Sequence, residues 1–351
     1  MKNLPKTMKA AILVEQKKPL IIANIGLPEK LELGQVLVKI NCSGVCGSQL
    51  GEIDGAKGPD KYLPHLLGHE AKGQVLAIGP GVQHISIDDH VVLHWRKSQG
   101  INAQPPKYKW GDKVVNAGQI TTFNEFAIVS ENRLTRVNPA IDENILSLFG
   151  CAITTGFGVI ENEADIQIGQ SVVVFGAGGV GLNMIQAAKL RNAHPIIAVD
   201  QFDNRLELAR LFGADYTING AKQDAFKSIK NLTNDRKLDV FIDNTGNVSI
   251  IEHGLSLTSS KGKVVLVGVP KSDSKVSFNT LPLHFGKQIF GTEGGKSDPQ
   301  HDIPRYLKMY ENGIINFDGL ISKEFDLEDI NGALNQMRDG SISGRIIIKM
   351  G

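Results

Sequence analysis

Two of the three cysteines in this chain, Cys42 and Cys46, lie in one glycine-rich loop, KINCSGVCGSQLGEIDG. His69 follows in the segment GHEAKG, and the third cysteine, Cys151, lies in FGCAITTGFG. One imidazole and two thiols form a borderline-soft ligand set that suits Zn²⁺ and leaves a fourth position for water or substrate. Cys46, His69 and Cys151 are 23 and 82 residues apart. This spacing fits no short-range zinc template, so it does not establish a site alone.

A second motif, GAGGVG (176–181), has the spacing G-x-G-x-x-G. It follows a continuous apolar run, SVVVFG, and opens a helical pattern, which is the context of a dinucleotide-binding loop. The first glycine permits a tight turn, the second lets the backbone approach a pyrophosphate, and the third lets helix and strand pack closely. The phosphates then meet the positive end of the helix. The motif predicts a cofactor site that includes Gly176, Gly178, Gly179, Val180 and Gly181.

Asp200 ends the next strand-like run, IIAVD, 24 residues after Gly176. A carboxylate at this point accepts hydrogen bonds from the ribose hydroxyls and repels a 2′-phosphate, which favours NAD over NADP. Arg205 lies nearby in the sequence and would weaken that preference. Each of the two assignments has a simpler alternative. The GAGGVG segment could be a glycine-rich turn that binds nothing, and Asp200 could be a cap at the protein surface.

The secondary structure that the sequence predicts around these residues changes near residue 151. Before it, glycines and prolines separate short strand-like runs such as QVLVKI and FNEFAIVS, the rhythm of an irregular, mostly antiparallel β domain. After it, apolar strands alternate with helical patterns, which predicts a parallel sheet covered on both faces. From about residue 295 come two helical segments and a last strand, GRIIIKM, which the pattern alone does not place.

Length and composition limit the class of protein. A chain of 351 residues favours two domains. Lys and Arg number 38 against 37 Asp and Glu, which argues against nucleic acid as a partner. No apolar stretch is long enough to predict a membrane span, and the amino-terminal MKNLPKTMKA does not read as a signal peptide. Three cysteines are too few for a disulfide scaffold, which favours a reducing, cytoplasmic setting.

Almost from end to end, the chain resembles the zinc-dependent medium-chain dehydrogenase/reductase family, and the alcohol dehydrogenases in particular. GVCGSQL is similar to the first-ligand loop of that family, GHE to its second-ligand motif, and Cys151 falls where the third ligand belongs. VGVP, DIPRYL and SGRIII resemble the tail of the glutathione-dependent, class III branch. The resemblance implies an α/β fold with a Rossmann doubly wound parallel sheet in residues 152–294. It implies a discontinuous, mostly antiparallel, GroES-like catalytic domain in residues 1–151 and 295–351.

The resemblance also implies site residues. Cys46, His69 and Cys151 would hold one catalytic zinc, the ligand set known for alcohol dehydrogenases. Zn²⁺ would act as a Lewis acid on an alcohol whose hydride passes to the nicotinamide of NAD, while Ser48 receives the proton. The other implied roles are a carboxylate behind the zinc at Glu70, cofactor contacts from Thr155, Val269 and Arg345, and a substrate pocket lined by Trp95 and Phe123.

Three features depart from the family pattern. Segment 94–119 has no cysteine, which predicts no structural zinc and an ordering of this segment by packing around Tyr108 and Trp110, or by a partner subunit. Gln49 stands where an aspartate normally supports the histidine ligand, and it accepts a hydrogen bond without carrying a charge. Gly51 replaces a histidine that passes the proton to solvent in some relatives, which leaves the cofactor ribose and water as the exit.

We therefore expect a cytoplasmic, zinc-dependent, NAD-linked alcohol dehydrogenase that acts on a small-molecule alcohol or carbonyl and binds neither nucleic acid nor membrane. A lysine- and arginine-rich segment, 96–113, is typical of a solvated face; if it borders the pocket, an anionic substrate would fit. An edge strand near 288–295 predicts a homodimer or homotetramer. The alternatives are a zinc-independent quinone or enoyl reductase and a non-catalytic cofactor-binding relative.

Overall fold

The computed structural model describes residues 4–351, which form eighteen strands and nine α-helices. The strands, in chain order, are β1 (Thr7–Leu13), β2 (Ile21–Gly26), β3 (Gln35–Val45), β4 (His65–Leu66), β5 (Glu70–Ile78), β6 (His90–His94), β7 (Lys107–Trp110), β8 (Lys113–Asn116), β9 (Phe126–Ser130), β10 (Leu134–Arg136), β11 (Val172–Phe175), β12 (Ile196–Asp200), β13 (Tyr216–Asn219), β14 (Leu238–Asp243), β15 (Thr258–Leu266), β16 (Gln288–Gly291), β17 (Ile321–Asp326) and β18 (Arg345–Lys349). The helices are α1 (Gly47–Ile53), α2 (Glu143–Leu148), α3 (Ala152–Gly158), α4 (Gly179–Leu190), α5 (Asp203–Leu211), α6 (Ala225–Leu232), α7 (Val248–Leu257), α8 (Pro299–Glu311) and α9 (Ile330–Arg338).

The chain divides into two compact units. The first contains the chain up to Cys151 together with Asp298–Phe317 and Ile321–Gly351. The second contains Ala152–Ser297 and Asp318–Leu320. Within residues 4–351, no helix is both long enough and apolar enough to cross a bilayer.

The first unit is built from two sheets. Five strands form a closed barrel in the order β1-β2-β7-β8-β4, and a second sheet has the order β10-β6-β5-β3-β18-β17, with β9 also paired to β3. The last strand of the chain, β18, is antiparallel to β3, with Ile346 opposite Val45 and Lys349 opposite Cys42. The carboxyl-terminal strand therefore lies beside the strand that leads into Cys46.

Segment 94–119 packs within its own chain, which is one of the two ways of ordering it that the sequence leaves open. It contains the antiparallel pair β7 and β8, which joins the barrel. Tyr108 is fully buried in the barrel core, and its hydroxyl accepts a hydrogen bond from the Ile128 backbone N–H at 3.1 Å. Lys107 and Lys109, on either side of Tyr108, are exposed. Because side chains alternate along a strand, this part of the basic segment forms a solvated face.

The second unit contains a six-stranded parallel sheet in the order β13-β12-β11-β14-β15-β16. Every residue of β11 and β12 is buried, as expected for central parallel strands that have helices on both faces. This order is that of the doubly wound dinucleotide-binding fold, and the order reverses between β11 and β14. The predicted Rossmann sheet is therefore confirmed.

Candidate metal centre and cofactor site

The three predicted metal ligands lie together in the first unit, although they come from separate parts of the chain. Cys46 follows β3, His69 directly precedes β5, and Cys151 follows α2. Their ligand atoms all lie within 4.8 Å of one another. In the part of the chain that the structure describes, this is the one group of three His, Cys, Asp or Glu side chains close enough to share a metal ion.

Strand pairing explains why these positions meet. β3 and β5 are antiparallel, with Ser43 opposite Ala71, so the end of β3 lies beside the start of β5. Gly150 packs so closely on β5 that a β-carbon added to it would lie 2.7 Å from Glu70 Cα. This close approach brings the next residue, Cys151, to the same edge of the sheet.

The chemistry of the three side chains fits a zinc ion. His69 Nε2 is buried and has no hydrogen-bond partner among residues 4–351, and a buried polar atom of this kind normally requires a ligand. The pKa of the Cys46 thiol is held well below its usual range, chiefly by the hydrogen bond from Cys151 and also by the charge of Arg345, although burial opposes the shift. The same hydrogen bond raises the pKa of the Cys151 thiol. A thiolate, a second thiol and an imidazole nitrogen form the donor set that Zn²⁺ prefers.

A buried ion pair lies next to these ligands. Glu70 is fully buried, and its Oε1 lies 3.6 Å from Nη1 of Arg345, which also donates a hydrogen bond to the Val45 carbonyl at 2.8 Å. Burial opposes the charge of the guanidinium, but Glu70, Cys46 and Cys151 raise the pKa of Arg345. Arg345 therefore stays cationic and balances the negative charge of the thiolates and the carboxylate.

Gly44 makes room for Glu70. A β-carbon at Gly44 would lie 2.6 Å from Glu70 Oε1, 2.8 Å from its carboxyl carbon and 2.9 Å from Cγ. We expect Gly44→Ala to lower the free energy of unfolding by about 1–3 kcal/mol, the usual cost of overpacking a core. Gly332→Ala is the matched control, because a β-carbon at Gly332 in α9 meets no atom within 4 Å.

The control is expected to be neutral or stabilising, because alanine favours a helix more than glycine does. Urea unfolding of the two variants and the wild type measures both effects. A Gly44→Ala variant as stable as the wild type would contradict the steric constraint on Glu70.

The other predicted residues of the first unit have different environments. Ser48 lies in the first turn of α1, and its Oγ is buried without a hydrogen-bond partner in the described chain. The Trp95 ring lies 6.4 Å from the His69 ring. Phe123 is fully buried in the hydrophobic core of this unit. The position of Phe123 therefore supports a packing role rather than the lining of a substrate pocket.

In the second unit, the three motif glycines have the geometry that a dinucleotide requires. Gly176 directly follows β11 and has φ +95°, a left-handed conformation that favours glycine. Gly178 has no atom within 4 Å of the position of a β-carbon, so the space beside it is open to a ligand. A β-carbon at Gly181 would lie 2.0 Å from the Gly176 carbonyl oxygen, so only glycine allows α4 to pack this closely.

The carboxylate of Asp200 is held by the backbone. Its Oδ2 accepts a hydrogen bond from Ala177 N–H at 2.8 Å, and its Oδ1 accepts from Gln201 N–H at 2.8 Å and from Phe202 N–H at 3.2 Å. Arg205 Nη1 lies 3.7 Å from Oδ1, and its guanidinium lies over the Phe202 ring. Asp200 therefore has a defined position and stands next to one cation.

Asp200 and Arg205 line a cavity of about 610 Å³ in the second unit, together with Gly176 and Gly178. Sequence reasoning missed the residues that follow β14 and line the same cavity, which are Asn244, Thr245 and Asn247. A signal existed, because ligands of a doubly wound sheet bind outside the carboxyl ends of strands at the point where the strand order reverses. Of the other four predicted cofactor residues in this unit, Gly179 and Val180 begin α4, Thr155 is buried in α3, and Val269 is 66% exposed after β15.

Comparison with known proteins identifies the family. Residues 32–139 match the alcohol dehydrogenase GroES-like domain, and residues 179–312 match the zinc-binding dehydrogenase family. An S-(hydroxymethyl)glutathione dehydrogenase from Synechocystis sp. is 30% identical over an alignment of 361 positions, which covers 95% of this chain and 97% of that protein. The chain belongs to the zinc-dependent alcohol dehydrogenase family.

Solved structures of this alcohol dehydrogenase family have the same fold. Benzyl alcohol dehydrogenase from Acinetobacter calcoaceticus is 30% identical, with a TM-score of 0.88, and the match covers 99% of this chain and 100% of that one. An alcohol dehydrogenase zinc-binding domain protein from Burkholderia ambifaria is 27% identical, with a TM-score of 0.89 and coverage of 98% and 99%. The predicted family, fold class, enzyme class and use of zinc and NAD are confirmed by these relationships.

Proposed function

We propose that this chain is an alcohol dehydrogenase that transfers hydride reversibly between an alcohol and the nicotinamide of NAD, with one catalytic zinc. The observation that carries the proposal is the convergence of Cys46, His69 and Cys151, whose ligand atoms lie within 4.8 Å of one another in a member of this family. This ligand set also disfavours the zinc-independent reductase alternative, because such a reductase has no use for it.

Each residue of the centre has a proposed task. Cys46, His69 and Cys151 hold the zinc ion, which supplies Lewis-acid chemistry when it is bound. Arg345 balances the negative charge of the two cysteines and Glu70. The Nε and Nη2 atoms of Arg345 are buried and have no hydrogen-bond partner among residues 4–351. These donors suit an anion, and we assign them to the cofactor pyrophosphate.

Ser48 is the group to which we assign the proton of the alcohol. Its hydroxyl oxygen is buried and makes no hydrogen bond within residues 4–351, so it is available to a substrate hydroxyl. Ser48 accepts the alcohol proton as hydride leaves carbon. Ser48 would pass on its own hydroxyl proton in exchange, and because Gly51 offers no imidazole, the next acceptor would have to be the bound cofactor or water.

Asp200 is expected to favour NAD over NADP. The fixed carboxylate repels a 2′-phosphate and accepts hydrogen bonds from a 2′-hydroxyl. We expect Asp200→Asn to lower the ratio of kcat/KM for NAD to kcat/KM for NADP by roughly tenfold. This change corresponds to about 1.4 kcal/mol of charge repulsion between the carboxylate and the 2′-phosphate. Asparagine keeps the acceptor at Oδ1 for the N–H groups of Gln201 and Phe202 but loses the acceptor at Oδ2 for the N–H of Ala177, so the affinity for NAD is measured beside the ratio.

Asp203→Asn is the control, because Asp203 is an exposed carboxylate in α5 that pairs with Lys222. It should leave the cofactor ratio unchanged. A wild-type preference for NADP would contradict the assignment of Asp200 to the ribose and would point to Arg205 as the dominant charge.

We propose that two chains associate through the edge of the parallel sheet. β16 is the last strand of that sheet among the described residues, and Phe285 just before it is 68% exposed. Unpaired edges and exposed apolar side chains favour pairing with a second copy. Light scattering at micromolar concentration should give at least a dimer, which Phe285→Lys should weaken. Leu211→Lys, at an 81% exposed position on α5, should not. A monomeric wild type would contradict this assembly.

Elemental analysis and a substrate panel test the proposed function. We expect about one zinc per chain from three protein ligands. We also expect NADH formation from at least one of a set of aliphatic and benzylic alcohols and S-(hydroxymethyl)glutathione, a set that includes the substrates for which two relatives are named. A zinc-loaded protein that reduces NAD with none of them would support the non-catalytic alternative.

A further inference from the structure

Gln49 lies beside the metal centre, and its side-chain amide contacts two groups. These are the backbone N–H of Cys46 and the Nδ1 atom of His69. Gln49 is 1% exposed and lies in the first turn of α1, three residues after Cys46. Its Oε1 accepts a hydrogen bond from the Cys46 backbone N–H at 2.8 Å. A glutamine at this point of a helix characteristically reaches back to the N-cap backbone N–H in this way.

This hydrogen bond determines which end of the amide faces His69. A backbone N–H is only a donor, so it takes the amide oxygen, and the NH₂ group turns to the other side. Gln49 Nε2 lies 2.6 Å from His69 Nδ1. Because the amide nitrogen is also only a donor, Nδ1 must accept, and the proton of the neutral ring lies on Nε2. A proton on both nitrogens would place two donors 2.6 Å apart.

Zinc requires the opposite arrangement. The ligand atom of His69 on the side of Cys46 and Cys151 is the buried Nε2, and a neutral imidazole that binds metal through Nε2 carries its proton on Nδ1. The Nδ1 proton then needs an acceptor, which the amide provides only if it turns over. The turned amide presents its NH₂ group to the Cys46 N–H. One donor faces another donor in either orientation of the amide when zinc is bound.

We propose that Gln49 is a positioning residue that holds His69 in the Nε2–H tautomer when the metal is absent, and that zinc binding reverses the Gln49 amide at the expense of its hydrogen bond to Cys46. This inference rests on the proposed zinc site and adds a consequence. A carboxylate at position 49 accepts from Cys46 N–H and from His69 Nδ1–H together, so glutamine makes this centre hold zinc less tightly than glutamate would.

The experiment uses the full chain labelled with ¹⁵N in its nine histidines. Long-range ¹H–¹⁵N spectra report which ring nitrogen carries the proton, and a His69→Asn sample assigns the signal. We expect the Nε2–H tautomer in the metal-free wild type and Nδ1–H after zinc is added. In Gln49→Glu, we expect Nδ1–H in both states. Competition with a chromophoric chelator should give a zinc Kd lower by roughly 10–100-fold in Gln49→Glu, the usual effect of a partner of a metal-bound histidine.

Gln74→Glu controls for the added charge, because it makes the same substitution in β5, away from the ligands, and should leave the zinc Kd unchanged. An Nδ1–H signal in the metal-free wild type overturns the proposal, and so does an unchanged or weaker zinc affinity in Gln49→Glu. If Gln49→Glu does not fold, the two tautomers of the wild type decide the question. A wild type that binds no zinc refutes the proposed function, whereas one that binds zinc without the tautomer change refutes only this inference.

Discussion

Cys46→Ala is expected to lose its zinc and nearly all alcohol oxidation. Removing one of three protein ligands leaves two, too few to hold a catalytic zinc whose fourth position is kept for substrate. The Lewis-acid contribution that is lost amounts to several kcal/mol, so we expect kcat/KM to fall by roughly 10³-fold or more. Elemental analysis and initial rates of NADH formation measure the two losses, and Cys151→Ala should give the same result.

Cys42→Ala is the matched control for the loss of a thiol. Cys42 lies on β3 only four residues before Cys46, but it is fully buried and its Sγ donates a hydrogen bond to the Glu143 carbonyl at 3.2 Å. Burial raises its pKa to about 12, so it stays a thiol at neutral pH. We expect full zinc content and wild-type rates. Zinc retention in Cys46→Ala together with loss in Cys42→Ala would mean that the ligand assignment is wrong.

Ser48→Ala is expected to lower kcat/KM for alcohol oxidation by roughly 10²–10⁴-fold, the usual range for a positioned acid–base group. The zinc content and the affinity for NAD should stay near the wild-type values, because Ser48 is not a ligand and its Oγ makes no hydrogen bond within residues 4–351. Rates over a range of pH, with zinc occupancy measured in each sample, separate a loss of proton transfer from a loss of metal.

Ser48→Thr tests the hydroxyl itself. Threonine keeps an oxygen on the β-carbon, so it should restore much of the activity that alanine loses, apart from any effect of the added methyl group. Wild-type activity in Ser48→Ala would show that the proton leaves by another route, and the role of Ser48 would then be withdrawn.

The cofactor loop and the elements around it were predictable because their determinants are local. SVVVFG is a short continuous apolar run, as expected for a strand buried on both faces, and Gly176, Gly178 and Gly181 follow it directly. The same local logic placed Asp200 at a strand end. It did not extend to Asn244 and Thr245, which line the same cavity. These residues follow β14, a strand that begins 63 residues after β11 ends.

The role of Phe123 shows that resemblance to a family does not by itself determine where one side chain lies. The prediction placed its ring in a substrate pocket, whereas the structure has it fully buried in the core. Aromatic residues serve both purposes, and residue type does not distinguish them. The direction of the side chain depends on how its segment packs, which is a property of the folded domain. Trp95, beside the His69 ring, remains the aromatic residue that we assign to the substrate pocket.

The sequence by itself determined the parallel-sheet unit, the glycine loop and the types of residue available for zinc, because each depends on a short contiguous stretch. Only the tertiary structure decided that Cys46, His69 and Cys151 meet, since this depends on the register of β3 against β5 and on the packing of Gly150. It also placed β18 beside β3. The orientation of the Gln49 amide also depends on the tertiary structure, because it follows from where the Cys46 N–H and His69 Nδ1 lie around the side chain.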